Sequence, residues 1–473
     1  MIHHQDSSSN LKQYWHLLQW GVLLLPLLPT WGCIVTLFGV FLIWKNHFNV
    51  MIKKPLNQSL LILSFLLILT AIFSQNPLEA LLGTGNFIPY FIVFAALSEV
   101  IQTPTQLKQL SWIIIIPAIP IILLGFGQQF LGWSGGEAFQ SILGWTLPLN
   151  GNPPGRMCSV FMYANILAAY LLLVFTLSAA LLIEQLYSNQ EWLLRSQELE
   201  VETLHVTSVQ EKGKFSYPRS LLIKYFITII RSIKNNPENN KFKKLIFLLI
   251  VLSLTGIALI VTYSRNAWGL GIIIILAYAI YLRWRWLVGL ILSAIFAVLG
   301  AAFAPSPMNQ SLRLIVPAYF WQRLSDQNFE RPIETLRVTQ WKFAWNLTQQ
   351  NPWTGWGLRS FTPLYEAKMN VWMGHPHNLF LMLTAEIGIP ITLFFIGIIG
   401  FILSKFTKIL ITKPLNQSAH LTLFSYGLAF TVYILFNLAD VTLFDFRVNT
   451  FGWLILAGIW GNTQNFYSAS IHD

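Results

Sequence analysis

Charge is what this chain has least of. Only 10% of its 473 residues are Asp, Glu, Lys or Arg, against roughly 25% in an average soluble domain. That is too little to solvate a globular surface of this length, so a soluble enzyme is excluded. A hydrophobic content of 55% excludes a disordered chain. Acidic side chains are the scarcest, 19 against 30 basic ones, for a net charge of +11. Cysteine is nearly absent: Cys33 and Cys158 cannot build a disulfide framework or a thiolate metal site. The run Leu28-Pro29-Thr30-Trp31-Gly32-Cys33 lacks the small residues of a lipoprotein cleavage site, so Cys33 reads as a helix residue. There is no Gly-rich phosphate loop, zinc-spaced His/Cys cluster, Ser-His-Asp signature, internal repeat or low-complexity tract.

What the chain has instead is long apolar runs of membrane-spanning length, such as Leu245–Thr262 and Leu287–Phe303, which also rule out a coiled coil. The stretch Leu17–Trp44 is interrupted by Pro26, Pro29 and Gly32. It is either one kinked span or two short spans joined by a tight turn. Further spans fall near 57–74, 86–101, 110–126, 157–183, 245–262, 267–282, 286–303, 377–403, 418–438 and 447–461. The expected fold is all-α: a polytopic membrane protein of about twelve transmembrane helices with a large, partly helical periplasmic loop.

Basic residues orient these spans. With both termini cytoplasmic, Lys12, Lys45, Lys53, Lys54, Lys108, Arg283, Arg285, Lys405, Lys408 and Lys413 fall inside, and only Arg156, Arg265 and Arg447 mark the short outer segments. That asymmetry follows the positive-inside rule, so the net positive charge serves topology and does not indicate nucleic-acid binding. The chain divides into N-terminal spans (1–184), a cytoplasmic loop (185–244), a central region (245–403) containing the outer loop 304–376, and C-terminal spans (404–473). Within the cytoplasmic loop, Leu221–Ile233 sets Lys224 and Arg231 beside an apolar face, the pattern of an interfacial helix on anionic lipid.

The outer loop prefers arginine (Arg313, Arg323, Arg331, Arg337, Arg359) over lysine (Lys342, Lys368). A guanidinium fork suits a phosphate better than an ammonium does. Pro332 opens a helical stretch ending before Pro352, with Leu336, Phe343 and Leu347 on one face and Trp341 and Trp345 on a second stripe. A loop with its own helices more often covers a site than merely connects two spans. Arg337 either pairs with Glu334 at i,i+3 or serves an anion. Arg265 sits in Thr262-Tyr263-Ser264-Arg265-Asn266, a turn that starts a helix. It is either a snorkelling anchor or an anion ligand at a helix N-terminus. His377, in His375-Pro376-His377-Asn378, lies where a polar loop becomes a span, and a histidine at such a mouth can act as a general base. Glu386 is an intramembrane carboxylate, a functional group or a buried hydrogen-bond anchor.

The order Thr262-Tyr263-Ser264-Arg265, Leu336-Arg337…Trp341…Asn351-Pro352-Trp353-Thr354-Gly355-Trp356-Gly357…Phe361, and His377-Asn378-Leu379…Leu383…Glu386-Ile387-Gly388-Ile389-Pro390 resembles the O-antigen ligase/polymerase family. The resemblance covers roughly 245–400 in detail and the whole chain in topology. The stretch Gly151-Asn152-Pro153-Pro154-Gly155-Arg156…Tyr163-Ala164-Asn165 looks most like the cyanobacterial-type branch once named for bicarbonate uptake. The family implies a bacterial inner-membrane glycosyltransferase of the C type. Such an enzyme passes a glycan from a polyprenyl-diphosphate carrier to an acceptor glycan or glycolipid hydroxyl on the periplasmic side, with inversion and with neither cofactor nor metal. It implies His377 as catalytic base and Arg265 and Arg337 as diphosphate ligands, with Asn378, Glu386 and His375 as possible supporting residues. His375 departs from the pattern and is a second candidate base. Competing readings are a small-anion transporter of the bicarbonate kind, which would need ionisable residues near the midplane, and a glycolipid binder without catalysis.

Overall fold

The computed structural model describes residues 2–202, 240–325 and 332–472. The expected interfacial helix at 221–233 and Arg331 lie outside them, as does the side chain of Arg323. The described residues are helical, with isolated bridges only at Gly135–Leu147 and Gly151–Arg156. The N-terminal part comprises α1 (Ile2–Leu24), α2 (Pro29–Met51), α3 (Pro55–Ile72), α4 (Pro77–Thr84), α5 (Ile88–Val100), α6 (Pro104–Ile115), α7 (Ala118–Phe130), α8 (Glu137–Leu143) and α9 (Ala164–Glu202). Beyond residues 203–239 come α10 (Asn240–Val261), α11 (Arg265–Tyr281) and α12 (Arg285–Phe303). The outer loop contains α13 (Met308–Ile315), α14 (Ala318–Ser325), α15 (Arg337–Gln350) and α16 (Phe361–Met369). The chain ends with α17 (Leu379–Thr412), α18 (Gln417–Phe436) and α19 (Phe446–His472).

Among the described residues nine helices are long and apolar enough to cross a membrane, α4 with α5 and α6 with α7 each counting as one. The other passes expected from sequence fall on α1, on α19 and on α11, which is apolar but shorter. Leu17–Trp44 resolves into two helices. Pro29 opens α2 at its first turn, where a missing N–H is harmless. The two helices pack as an antiparallel hairpin with Gly21 against Thr36 and Gly39 against Leu18.

The bundle is wrapped around α9, the most buried span. Tyr170 on α9 is sealed between Phe161 and Phe451 and donates its hydroxyl proton to Ile114 O at 2.9 Å. Large apolar side chains such as Phe65 and Phe296 are 62% and 72% exposed. A row of these on a soluble protein would aggregate it; on a spanning helix it faces hydrocarbon. One end of the bundle carries the pairs Lys54–Glu99 and Lys108–Glu184. At the other end the α3–α4 turn, the 144–163 segment, the α10–α11 turn, the outer loop and the α18–α19 loop meet.

The outer loop docks onto α17 with a small core of its own: Ala344 and Leu347 of α15 and Phe361 and Tyr365 of α16 against Ala385 of α17. Phe343 meets both Phe361 and Tyr365 edge-on at 5.9 and 5.0 Å, the favourable aromatic geometry. The helical stretch expected from Pro332 starts later, at Arg337. Pro332 begins a short 3-10 turn, and Leu336 is extended (φ −73°, ψ 135°). Glu334 is therefore off the helix that Arg337 begins. The i,i+3 pair weighed from sequence does not form, because its geometry requires both residues on one helix.

Candidate functional site

The run Asn351–Gly357 is a backbone clamp. The α17 helix breaks at Gly388 (φ 78°, ψ 165°), and Pro390 has no N–H to continue the ladder. The freed groups are taken up by the outer loop: Trp356 N–H donates to Ala385 O at 2.9 Å, Gly357 N–H to Glu386 O at 2.8 Å, and Ile389 N–H to Pro352 O at 2.8 Å. Backbone pairing this close leaves no room for side chains. A Cβ on Gly355 would fall inside 3 Å of the Glu386 backbone, and one on Gly388 inside 3 Å of Trp353. Both residues also have positive φ, so glycine is required twice over.

Glu386, 2% exposed, sits in this junction and accepts the Phe361 N–H at 3.3 Å. Asn378 caps α17, its side chain accepting Leu381 N–H at 3.0 Å and donating to Leu438 O at 3.1 Å. With Leu379 N–H donating to Asn437 O at 2.9 Å, it fixes the start of α17 against the α18–α19 loop. That loop is locked in turn by Asn437, which accepts Thr442 N–H at 2.9 Å.

The loop presents Asp440 to the two histidines. His377, in the left-handed region (φ 52°), places Nδ1 3.2 Å from Asp440 Oδ1. His375 Nε2 is 3.7 Å from the same oxygen, and His375 Nδ1 accepts the His377 backbone N–H at 3.1 Å. Neutral His375 therefore carries its proton on Nε2, which faces Asp440 from beyond hydrogen-bond distance, and only Nδ1 is hydrogen-bonded. Burial drives its pKa down to about 4 against the pull of Asp440, with the charges of His377 and Arg337 adding to the drop. For Asp440 burial alone would raise the pKa; the hydrogen bond from His377 and the histidine charges outweigh it and hold the carboxyl below its usual range. His377 has Nδ1–H directed at a carboxylate, which leaves Nε2 as the ring's acceptor.

From Asp440 a polar chain crosses the bundle. Asn165, near the start of α9, donates to Asp440 Oδ2; Arg156 Nη2 donates to Asn165 Oδ1, and Arg156 Nε to Thr262 O at 2.9 Å. Thr262 belongs to the turn that leads to Arg265 at the N-terminus of α11. The next residue, Asn266, donates to Phe436 O at 3.0 Å, beside the Asp440 loop. Arg265 and Arg337 are both exposed at this end. Arg337 acts on His375 through its charge, and Arg265 is tied to the cluster through Asn266 and Thr262. Of the other arginines, Arg313 donates to Ala301 O at 2.9 Å and stacks over Trp321, and Arg359 pairs with Glu79 at 3.4 Å.

Sequence reasoning missed Asp440, Asn165 and the bridging part of Arg156. Arg156 had been read only for topology, and an acidic residue between two apolar spans was the available signal for Asp440. His375, His377 and Asp440 each place one ligand atom within 4.8 Å of the others and are the residues that would take a divalent ion. His377, Asn165 and the Val441 N–H already satisfy the carboxylate without one. Beside this cluster a cavity of about 810 Å³ opens between the α3–α4 turn, the Trp356–Leu364 segment and the Asp440–Asp445 loop, with His375 and Glu386 in its wall.

Fold and site together define a polytopic helical membrane protein in which an outer-loop subdomain covers a histidine–carboxylate–arginine cluster at one end of the bundle. Residues 248–396, from α10 through the clamp into α17, match the family model described as O-Antigen ligase, and this assigns the region to that family. The family supports glycan transfer of the ligase or polymerase type. No curated protein matches the chain.

Proposed function

We propose that this protein is a bacterial inner-membrane glycosyltransferase that moves a glycan from a polyprenyl-diphosphate carrier to an acceptor hydroxyl on the periplasmic side. His377 Nε2 takes the acceptor hydroxyl proton as that oxygen bonds to the anomeric carbon. The bond from that carbon to the diphosphate oxygen breaks, and its electron pair leaves on the diphosphate. Asp440 holds the ring by Nδ1–H and stabilises the imidazolium that forms, a role general bases commonly require. Arg265 and Arg337 hold the diphosphate and offset its growing charge, and no metal is assigned a role. His375 accepts the His377 N–H on Nδ1 and carries its proton on Nε2, so it has no open acceptor and the base is His377. Both termini are cytoplasmic, on the side of Lys53, Lys54 and Lys108.

The observation that carries this reading is the His377–Asp440 pair at 3.2 Å beside a ligand-sized cavity, with His377 inside the region that matches the O-antigen ligase family. The test is transfer from purified undecaprenyl-diphosphate glycan to an acceptor by the protein in detergent. His377→Ala is expected to lower the rate by about 100-fold or more, the usual worth of a general base. Undiminished transfer by that variant would remove the base. Bicarbonate accumulation in proteoliposomes lacking any glycan would replace the enzyme with a transporter.

A further inference from the structure

The proposed reaction needs two binding regions, and their electrostatics differ. The arginines that suit a diphosphate, Arg156, Arg265 and Arg337, do not line the cavity. Its wall carries four carboxylates instead: Glu79 and Asp445, ion-paired with Arg359 and Arg447 at 3.4 and 3.0 Å, and the buried Glu386 and Asp440. Among the lining residues the single arginine is Arg359, already paired with Glu79. The lining residues therefore offer a phosphate or uronate group no free counter-charge, and a buried charge without a partner sets specificity as strongly as attraction does.

The rest of the lining has the character of a sugar site. Trp356, Trp372 and Phe444 line it, aromatic surface of the kind that packs on the apolar side of a pyranose, and Trp372 is 67% exposed on the outer loop. The Ser360 hydroxyl, also in the wall, is buried without a hydrogen-bond partner. A buried hydroxyl left unpaired is unfavourable, and a sugar hydroxyl would satisfy it. The volume falls within the roughly 300–1,000 Å³ typical of small-molecule sites. His375 and Asp440 in the wall place whatever fills the cavity next to His377.

We infer that the cavity is the acceptor subsite and that it selects an acceptor whose terminal sugars carry no anionic group, an uncharged or amino sugar, while the diphosphate of the donor stays outside on the arginines. The inference rests on the glycosyltransferase reading and adds the chemical class of the acceptor.

The experiment uses the purified full chain in detergent, with a panel of neutral trisaccharides including maltotriose, and with trigalacturonate as the anionic counterpart. Binding is followed by tryptophan fluorescence and by competition in the transfer assay. At least one neutral trisaccharide should bind and compete with acceptor but not with donor, and trigalacturonate should bind more weakly. Trp372→Ala should weaken that binding by about tenfold and Trp372→Phe should restore most of it, as an aromatic platform requires. Glu79→Gln should narrow the gap between neutral and anionic sugars. Trigalacturonate binding as well as the neutral sugars, no neutral sugar binding at all, or indifference to Trp372→Ala would each overturn the inference. If transfer is absent while Trp372-dependent neutral binding persists, the enzyme reading falls and the cavity's preference stands. If transfer is present while anionic sugars compete equally, the preference falls alone.

Discussion

At the residue scale the decisive group is Asp440, which touches His377 from the far end of the chain. It is 2% exposed and is held by Asn165 and by the Val441 N–H as well as by His377. Asp440→Asn keeps the shape but removes the charge that favours the imidazolium, and it permits the wrong ring tautomer. Transfer kcat should fall by about 100-fold or more with donor KM little changed; an unchanged kcat in the same assay would show that His377 needs no partner. His375 makes a separate prediction about stability. Its folded pKa of about 4 lies below its ordinary value of about 6.5. Between those values the unfolded chain binds more protons than the folded one. Stability should therefore rise with pH across that window and be lost as pH falls through it. The groups facing it, Asp440, His377 and Arg337, set the size of the effect. His375→Asn should flatten the slope of melting temperature against pH between about 4 and 6.5. The histidines and arginines were legible in sequence because each is unusual at a span boundary. The Asp440–Asn165–Arg156 chain was not, because it joins three segments whose meeting depends on how the whole bundle packs.

At the element scale, the helices were legible and their junction was not. Apolar runs located the spans, because in hydrocarbon a helix must satisfy its own backbone, but several helices run on past the apolar stretch, as α17 does to Thr412 and α19 to His472. The sequence also displayed Asn351–Gly357 and Glu386–Pro390 as motifs. Yet nothing in side-chain periodicity says that one run supplies backbone donors to the break in the other. Those bonds are main-chain to main-chain and are betrayed only by their glycines. Gly388→Ala puts a Cβ at φ 78° against Trp353, and Gly355→Ala puts one at φ 66° against Glu386. Each should destabilise the protein by about 2–3 kcal/mol, the combined effect of strain and overpacking. Gly397→Ala is the control: it lies in α17 with nothing within 4 Å, so the better helix former should leave the melting temperature level or slightly higher. If all three variants melted alike, the clamp would carry no stability.

At the scale of the molecule, every group discussed lies at one end of the bundle, and the basic residues gather at the other. The α3–α4 turn with Glu79, the segment with Arg156, the turn before Arg265, the outer loop and the Asp440 loop are separated by even numbers of passes, so helix alternation alone brings them to one side. Lys53 and Lys54, Lys108, Arg283 and Arg285, and Lys405 and Lys408 cap the opposite ends of the same helices. On the proposed orientation, with positive charge retained on the cytoplasmic side, the site would face the periplasm, where a polyprenyl-linked glycan would have to be presented. This orientation can be tested without any substrate. Cys33 lies within α2 and Cys158 is buried, so an introduced surface thiol stands out from the background. Lys368→Cys, on exposed α16, should react with a membrane-impermeant maleimide in intact spheroplasts, and Lys53→Cys should react only after permeabilisation. The reverse pattern would put the arginines and His377 in the cytoplasm, and a periplasmic transferase could not be built on them.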